Sequence, residues 1–345
     1  MRFLSKVYVL GALAVCCMLF SAWSLRSSRF ASLASSKPQQ KNMYKYRLVV
    51  FGDSWSDDKL FKNPSQGKVW PEWLCSQFSC VRDNMAESVS SAGVIVDSSE
   101  LGIFKAGKRT TRAVPDLKTQ ISRWIQKEKE AVQELPEDRL KPRQRNTIFS
   151  LSVGVWDIRR LIGGNVATSK AAIRRSVATI FDELKRLTEL STAKDMKVIL
   201  MNPVDVTLLP AYDPMDGHHR EAIELFQEWT NELKRLSEGW EHGSIFYVDT
   251  NSFLADQIRE RQLWVSGYLE SADLEKEGVG WEDVDRACVG DRKKWILWGQ
   301  EICDLPEKYL FWDDMHLGAT AHKLLGELVF QGIGTEWLNK GKTAA

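Results

Sequence analysis

The sequence predicts an α/β protein with a doubly wound, mainly parallel five-stranded sheet. Three observations carry this. The run Leu48-Val49-Val50-Phe51 is apolar without a break and stops at Gly52. A short continuous apolar run ending in a turn marks a strand buried on both faces of a parallel sheet. Comparable runs recur at residues 146–153, 196–201 and 244–249, and segments with apolar residues at helical spacing separate them. Strands alternating with helices imply right-handed crossovers within one sheet.

The chain has 345 residues, enough for one large domain with a substantial core or at most two. Its 47 Lys and Arg against 46 Asp and Glu leave a formal net charge of +1, so charge gives no case for nucleic acid. There are 14 Trp, a high number. Trp lines binding grooves as well as cores, and core packing is the first expectation for most of them.

Taken in order, Met1 to Lys6 is short and basic, and Val7 to Leu25 follows without a charged residue. Its length approaches the ~20 residues of a membrane span and exceeds the usual signal core of about 7–15. Residues 1–25 are therefore read as an uncleaved signal-anchor, with a signal peptide cut after Ser24 as the alternative. Either way the expected address is the secretory pathway. The domain would be lumenal or extracellular on a single-pass anchor, or secreted. Residues 26–45, rich in Ser, Gln and Lys, read as a flexible stalk, and 46–335 as the folded domain.

The first helix is expected over Trp70 to Phe78, and Val94 to Asp97 as a short strand or loop. Ile121 to Leu135 has helical spacing, and Pro136 and Pro142 then point to a solvated connection. Residues 166–190 form a long helix with Ile173, Val177, Ile180, Phe181, Leu184 and Leu187 inward. His218 and His219 could bind metal, but no third ligand has suitable spacing, so a helix-entry loop is the better reading. That helix runs through Leu236, and another from Asn251 to Leu263. Residues 264–310 break the rhythm. They hold Trp264, Trp281, Trp295 and Trp298 and are too long for an ordinary connector. They read as an insertion near the cleft. Leu317 to Phe330 is the last helix, with His316 at its start.

Cys16 and Cys17 lie in the apolar segment, and the other four cysteines fall as two close pairs. In an oxidising lumen they would join as Cys75–Cys80 and Cys288–Cys303, although four cysteines allow three connectivities. A zinc site is the rival, but the spacings are not those of a zinc ribbon.

The chemistry-bearing residues sit near the two ends of the domain. Ser54 follows Gly52 just past a strand's carboxyl end, where open α/β sheets bind ligands. A serine hydroxyl needs a histidine base, and the base needs an orienting carboxylate. Trp312-Asp313-Asp314-Met315-His316 offers both. Gly52-Asp53-Ser54 with Asp57, and Asp313-x-x-His316, resemble the first and last motifs of the SGNH (GDSL-type) hydrolases. The resemblance spans about Tyr46 to Phe330, and Trp55 stands where many members have Leu.

The resemblance implies an α/β/α sandwich of flavodoxin-like type and a serine esterase. Ser54 would be the nucleophile, His316 the base and Asp313 its partner, with Asp314 as the rival carboxylate. His242 and His322 would be structural. The second family block resembles Asn84-Met85-Ala86-Glu87-Ser88-Val89, with Val89 in the place of the glycine that helps hold the oxyanion. In the third, Gly154 and Asp157 match while Trp156 replaces the Asn donor. The oxyanion donors thus expected are the Ser54 N–H and the Trp156 indole, with Val89 and Asp157 beside them; the alternative is that Trp156 simply packs under the next helix and the hole is weakened. No metal or cofactor is needed. The expected substrate is an acyl ester, an O-acetyl or other acyl group on a glycan, or a lipid ester. Acyl transfer to a sugar hydroxyl is one alternative. The other is a non-catalytic binding module on a decayed scaffold.

Overall fold

A computed structural model describes residues 46–59, 64–87, 94–98, 116–133, 135–189, 195–213, 215, 217–268, 280–290, 302–334 and 337. Five parallel strands form one sheet in the order β2-β1-β3-β4-β5. They are β1 (Tyr46–Gly52), β2 (Cys80–Asn84), β3 (Thr147–Ser152), β4 (Met196–Met201) and β5 (Gly243–Val248). The α/β class and the five-stranded parallel sheet are as expected from the sequence. The order reverses direction between β1 and β3, so this is the switch point where such sheets open a crevice. Leu48, Val49, Val50 and Phe51 of β1 are all fully buried, as a central strand requires.

The sequence reading left one strand, β2, unassigned. The fifth member of the sheet is β2, whereas Val94 to Asp97 contributes only an isolated bridge between Ile95 and Asp116. The reason is polarity. Cys80-Val81-Arg82-Asp83-Asn84 is an edge strand and only half-buried, so it carries no apolar run.

Helix α1 (Trp70–Gln77) starts at Val69, whose N–H donates to Glu72 Oε2 at 3.1 Å. Helix α2 (Leu117–Gln133) turns Leu117, Ile121 and Trp124 inward. A correction concerns the stretch after it. Residues expected to be a solvated connection form α3 (Glu137–Arg145), with Pro142 inside. That helix brings Arg143 to Glu128, at 2.8 Å and 2.9 Å, and Glu128 also binds the buried Arg47 at 2.8 Å. Arg47 further reaches Asp83 at 2.6 Å. One ionic network thus ties β1, β2, α2 and α3. Burial alone would raise the Glu128 carboxyl; the hydrogen bonds from Arg143 and Arg47 hold it below its ordinary range.

Helix α4 (Val155–Leu161) is short. Helix α5 (Val166–Thr188) is capped by Asn165, whose side chain accepts the Thr168 N–H at 3.1 Å. All six of its expected apolar positions are buried. Helix α6 (His219–Glu238) has His218 at its N-cap, hydrogen-bonded to Glu221 at 3.0 Å, as a helix-entry residue should be. Helix α7 (Thr250–Val265) is capped by Asp249. Helix α8 spans Ala319–Ile333, so His316 lies in the loop before it and not at its start, a second correction. Helix α8 packs on α1, while α5 packs on both α2 and α6. Right-handed crossovers put these two groups on opposite faces of the sheet.

Within the expected insertion, β6 (Asp283–Ala287) pairs in parallel with β7 (Tyr309–Phe311). Both expected disulfides are present, Cys75–Cys80 and Cys288–Cys303. Trp281 is core. Trp264 is exposed beside Arg261, and Trp295 and Trp298 lie outside the described residues. Residues 1–45, with the expected anchor and stalk, also lie outside them. Among the described residues no helix is long and apolar enough to cross a membrane.

Candidate active site

The site begins where β1 ends. Gly52 is held on one side by β3 and on the other by Gln120 of α2. The Gln120 Oε1 accepts the Gly52 N–H at 2.9 Å, and its Nε2 donates to the Gly52 carbonyl at 2.8 Å. A Cβ on Gly52 would stand 2.6 Å from the Ser152 carbonyl oxygen, so no side chain fits. The chain then folds over itself. Asp53 N–H donates to Ser152 O at 3.1 Å, Ser56 N–H to Asp53 O at 3.0 Å, and Trp55 N–H to Asp53 Oδ1 at 3.1 Å. Ser54 lies inside this turn, 3% exposed, and its Oγ has no hydrogen-bond partner among the described residues. A buried hydroxyl with no partner is rare enough to require a reason. Asn84, from the second expected motif, props the turn: its Nδ2 donates to Ser56 O at 2.8 Å.

The second half of the site is the loop between β7 and α8. Trp312 N–H donates to His316 O at 2.8 Å and closes it. Asp313 Oδ1 accepts the N–H groups of Met315 and His316, both at 2.9 Å. Its carboxylate meets His316 Nδ1 at 2.7 Å and 2.9 Å. With Nδ1–H donated to Asp313, the basic nitrogen is Nε2. Burial would raise the Asp313 carboxyl, but its bond and charge interaction with His316 hold it below its ordinary value. Asp314 is exposed, so the geometry favours Asp313 over its rival.

The loop is anchored from behind by the disulfide-bearing segment. Cys288 N–H donates to Phe311 O at 3.0 Å and Val289 N–H to Trp312 O at 2.8 Å. Cys288, Val289 and Trp312 form a small buried cluster of their own. The Trp55 indole N–H donates to the Met315 carbonyl at 2.8 Å and so joins the two halves. The tryptophan that departs from the common motif therefore ties the serine turn to the histidine loop.

The third motif lies at the end of β3. Gly154 has φ +124, and a Cβ there would stand 2.7 Å from the Trp229 ring. Asp157 of α4 is buried; its Oδ1 accepts the Val96 N–H at 3.1 Å and its Oδ2 has no partner among the described residues. Burial pushes the Asp157 carboxyl up to about 7, although the Val96 N–H and Arg160 pull it down. Asp53 is likewise raised to about 7 by burial, against the Trp55 N–H and His316. The two carboxylates oppose one another's ionisation. Trp156 is half-buried, and the Arg159 guanidinium lies 5.5 Å from its ring centroid. No hydrogen bond from the Trp156 indole occurs among the described residues, so its donor is unspent. Val89 lies outside the described residues. His322 of α8 is buried, and burial lowers it to about 3, with His316 adding to the shift. It is a neutral core histidine, as expected.

Sequence reasoning missed Gln120. It sits between Leu117, Ile121 and Trp124 on the inward stripe of α2, and an amide on an apolar stripe was the available signal. Arg159 and Met315, which meet beside His316, carried no signal of their own.

A family model described as GDSL-like Lipase/Acylhydrolase matches residues 48–329. No curated protein matches the chain. Among solved structures, a carbohydrate acetylesterase from Sinorhizobium meliloti is 13% identical at a TM-score of 0.39, covering 84% of this chain and 99% of that one. A lipase/acylhydrolase from Enterococcus faecalis is 13% identical at a TM-score of 0.39, covering 84% and 96%. An acetylxylan esterase from Geobacillus stearothermophilus is 14% identical at a TM-score of 0.36, covering 86% and 98%. At these scores the likenesses have no bearing on substrate.

Proposed function

We propose, for a chain that belongs to the GDSL-like lipase/acylhydrolase family and is a serine ester hydrolase, that Ser54, His316 and Asp313 form its catalytic triad. The observation that carries this is the bond from the Trp55 indole to the Met315 carbonyl at 2.8 Å. It sets the residue after the serine against the residue before the histidine. In the first half-reaction, Ser54 Oγ attacks the ester carbonyl as His316 Nε2 takes its proton. The tetrahedral intermediate collapses, and the same proton passes to the departing alcohol oxygen. Water then attacks the acyl-enzyme, gives a proton to His316 and releases the acid while Ser54 is reprotonated. Asp313 keeps the imidazole in the needed tautomer and stabilises the imidazolium. The Ser54 N–H and the Trp156 indole N–H are the proposed oxyanion donors, and the unspent indole donor supports the second.

The proposed substrate is an acyl ester on a carbohydrate. The secretory address is a proposal too, supported by two disulfides, which persist in oxidising compartments. Ser54→Ala and His316→Ala should each lower turnover of a short-chain nitrophenyl ester by roughly 10³-fold or more, with folding intact. Retention of more than a tenth of the activity in Ser54→Ala would sink the assignment.

A further inference from the structure

We propose that Arg159, over the Trp156 ring and beside the His316 loop, selects esters that carry an anionic group, a carboxylate or another oxyanion, beside the reacting acyl group. The inference rests on the hydrolase reading above and names a substrate class for it.

Four observations lead there. Arg159 is exposed on α4, two residues past the buried Asp157. Its Nη1 donates to the sulfur of Met315, the residue before His316, so the guanidinium stands next to the base loop. Its guanidinium carbon lies over the Trp156 ring, 5.5 Å from the centroid. A guanidinium has five N–H donors, so these two contacts leave others for a planar oxyanion, which arginine binds better than lysine does. Finally, Arg159 has no carboxylate partner among the described residues.

Arg139, Arg145 and Arg259, exposed on other helices, share that lack, and what sets Arg159 apart is its place beside the His316 loop; other helical arginines are paired. Arg174 pairs with Glu228, Arg186 with Glu183, Arg220 with Glu224 and Arg235 with Glu232. The carboxylates near Arg159 are otherwise engaged. Asp313 holds His316, and Asp157 faces inward to the Val96 N–H and has Arg160 as its ionic neighbour. A cation left unneutralised beside a reacting centre attracts a ligand of opposite charge and raises its local concentration.

The test compares kcat/KM for matched esters: nitrophenyl acetate against nitrophenyl hemisuccinate, and a methyl O-acetyl-glucoside against the corresponding O-acetyl-glucuronoside. The first pair puts the anion on the acyl side, the second on the alcohol side. In the wild-type protein one anionic ester is preferred over its neutral match, and the preference shrinks as sodium chloride is raised. In Arg159→Gln that preference falls about tenfold or more, the weight of one charge-assisted hydrogen bond. In Arg159→Glu it inverts. Unchanged ratios in Arg159→Gln, or a wild-type preference indifferent to salt, overturn the proposal. If the wild-type protein turns over none of the four esters, the hydrolase reading fails, and calorimetric titration with the glucuronoside decides the anion site instead. Tighter binding to wild type than to Arg159→Gln upholds it, and equal or absent binding refutes it.

Discussion

Asp157 offers a sharp test of the electrostatics around the site. It is 8% exposed, its Oδ2 has no partner among the described residues, and burial lifts its carboxyl from 3.8 to about 7. A carboxyl raised on folding contributes stability that is fully present below its unfolded value and lost as pH rises through its folded value. The window is therefore about pH 4 to 7. A shift of about three units, at 1.36 kcal/mol per unit, is worth on the order of 4 kcal/mol across that window. Asp157→Asn imitates the protonated acid: the amide oxygen can still accept the Val96 N–H, and no charge remains to be desolvated. Near pH 4 the variant and the wild type should melt together. By pH 8 the variant should be more stable by up to about 4 kcal/mol, which corresponds to roughly 8 °C in Tm for a domain of this size. The assay is a series of thermal melts at intervals of half a pH unit. A Tm difference that stays flat from pH 4 to pH 8 would refute the reasoning.

The other expectations concern the scaffold and the oxyanion. Replacing Cys288 and Cys303 together by alanine opens a loop whose ends are 15 residues apart, which costs about 3 kcal/mol in denaturation midpoints. It should also lower kcat/KM, because the segment anchors the strand leading into Asp313. The matching Cys75 and Cys80 double variant, with a separation of 5, should cost less stability and leave kcat/KM unchanged. Arg47→Met strips Asp83 and Glu128 of a buried partner and should cost about 3–5 kcal/mol in urea denaturation; a cost under 1 kcal/mol would show the network to be dispensable. Trp156→Phe keeps the ring and removes the N–H. A fall in kcat/KM of about a hundredfold without loss of folding supports the oxyanion role, and no change shows that Trp156 only packs.

How much of this could be read from the chain differs by element, for physical reasons. Strand β1 was legible because a strand buried on both faces must be apolar at every position, as Leu48 to Phe51 are. Strand β2 was not, because an edge strand is half wet and Arg82, Asp83 and Asn84 fit it well. Helix α3 was hidden by its two flanking and internal prolines. Its inward group is Arg143, whose partner Glu128 lies in another helix, and no local pattern encodes a contact of that kind. At the site, Ser54, Asp313 and His316 stood in recognisable spacings. Gln120 and Arg159 did not, because what they do depends on the residues that folding sets beside them.

The bond between Trp55 and Met315 joins positions 260 apart in the chain. The last strand of the main sheet ends at Val248, whereas the loop that receives the Trp55 indole lies further on, just before the final helix. On the proposed triad, any product shortened before residue 316 lacks its base and should be inactive, however well its sheet is formed. In refolding, the return of esterase activity should lag behind the return of the sheet and keep time with the closure of its longest loop.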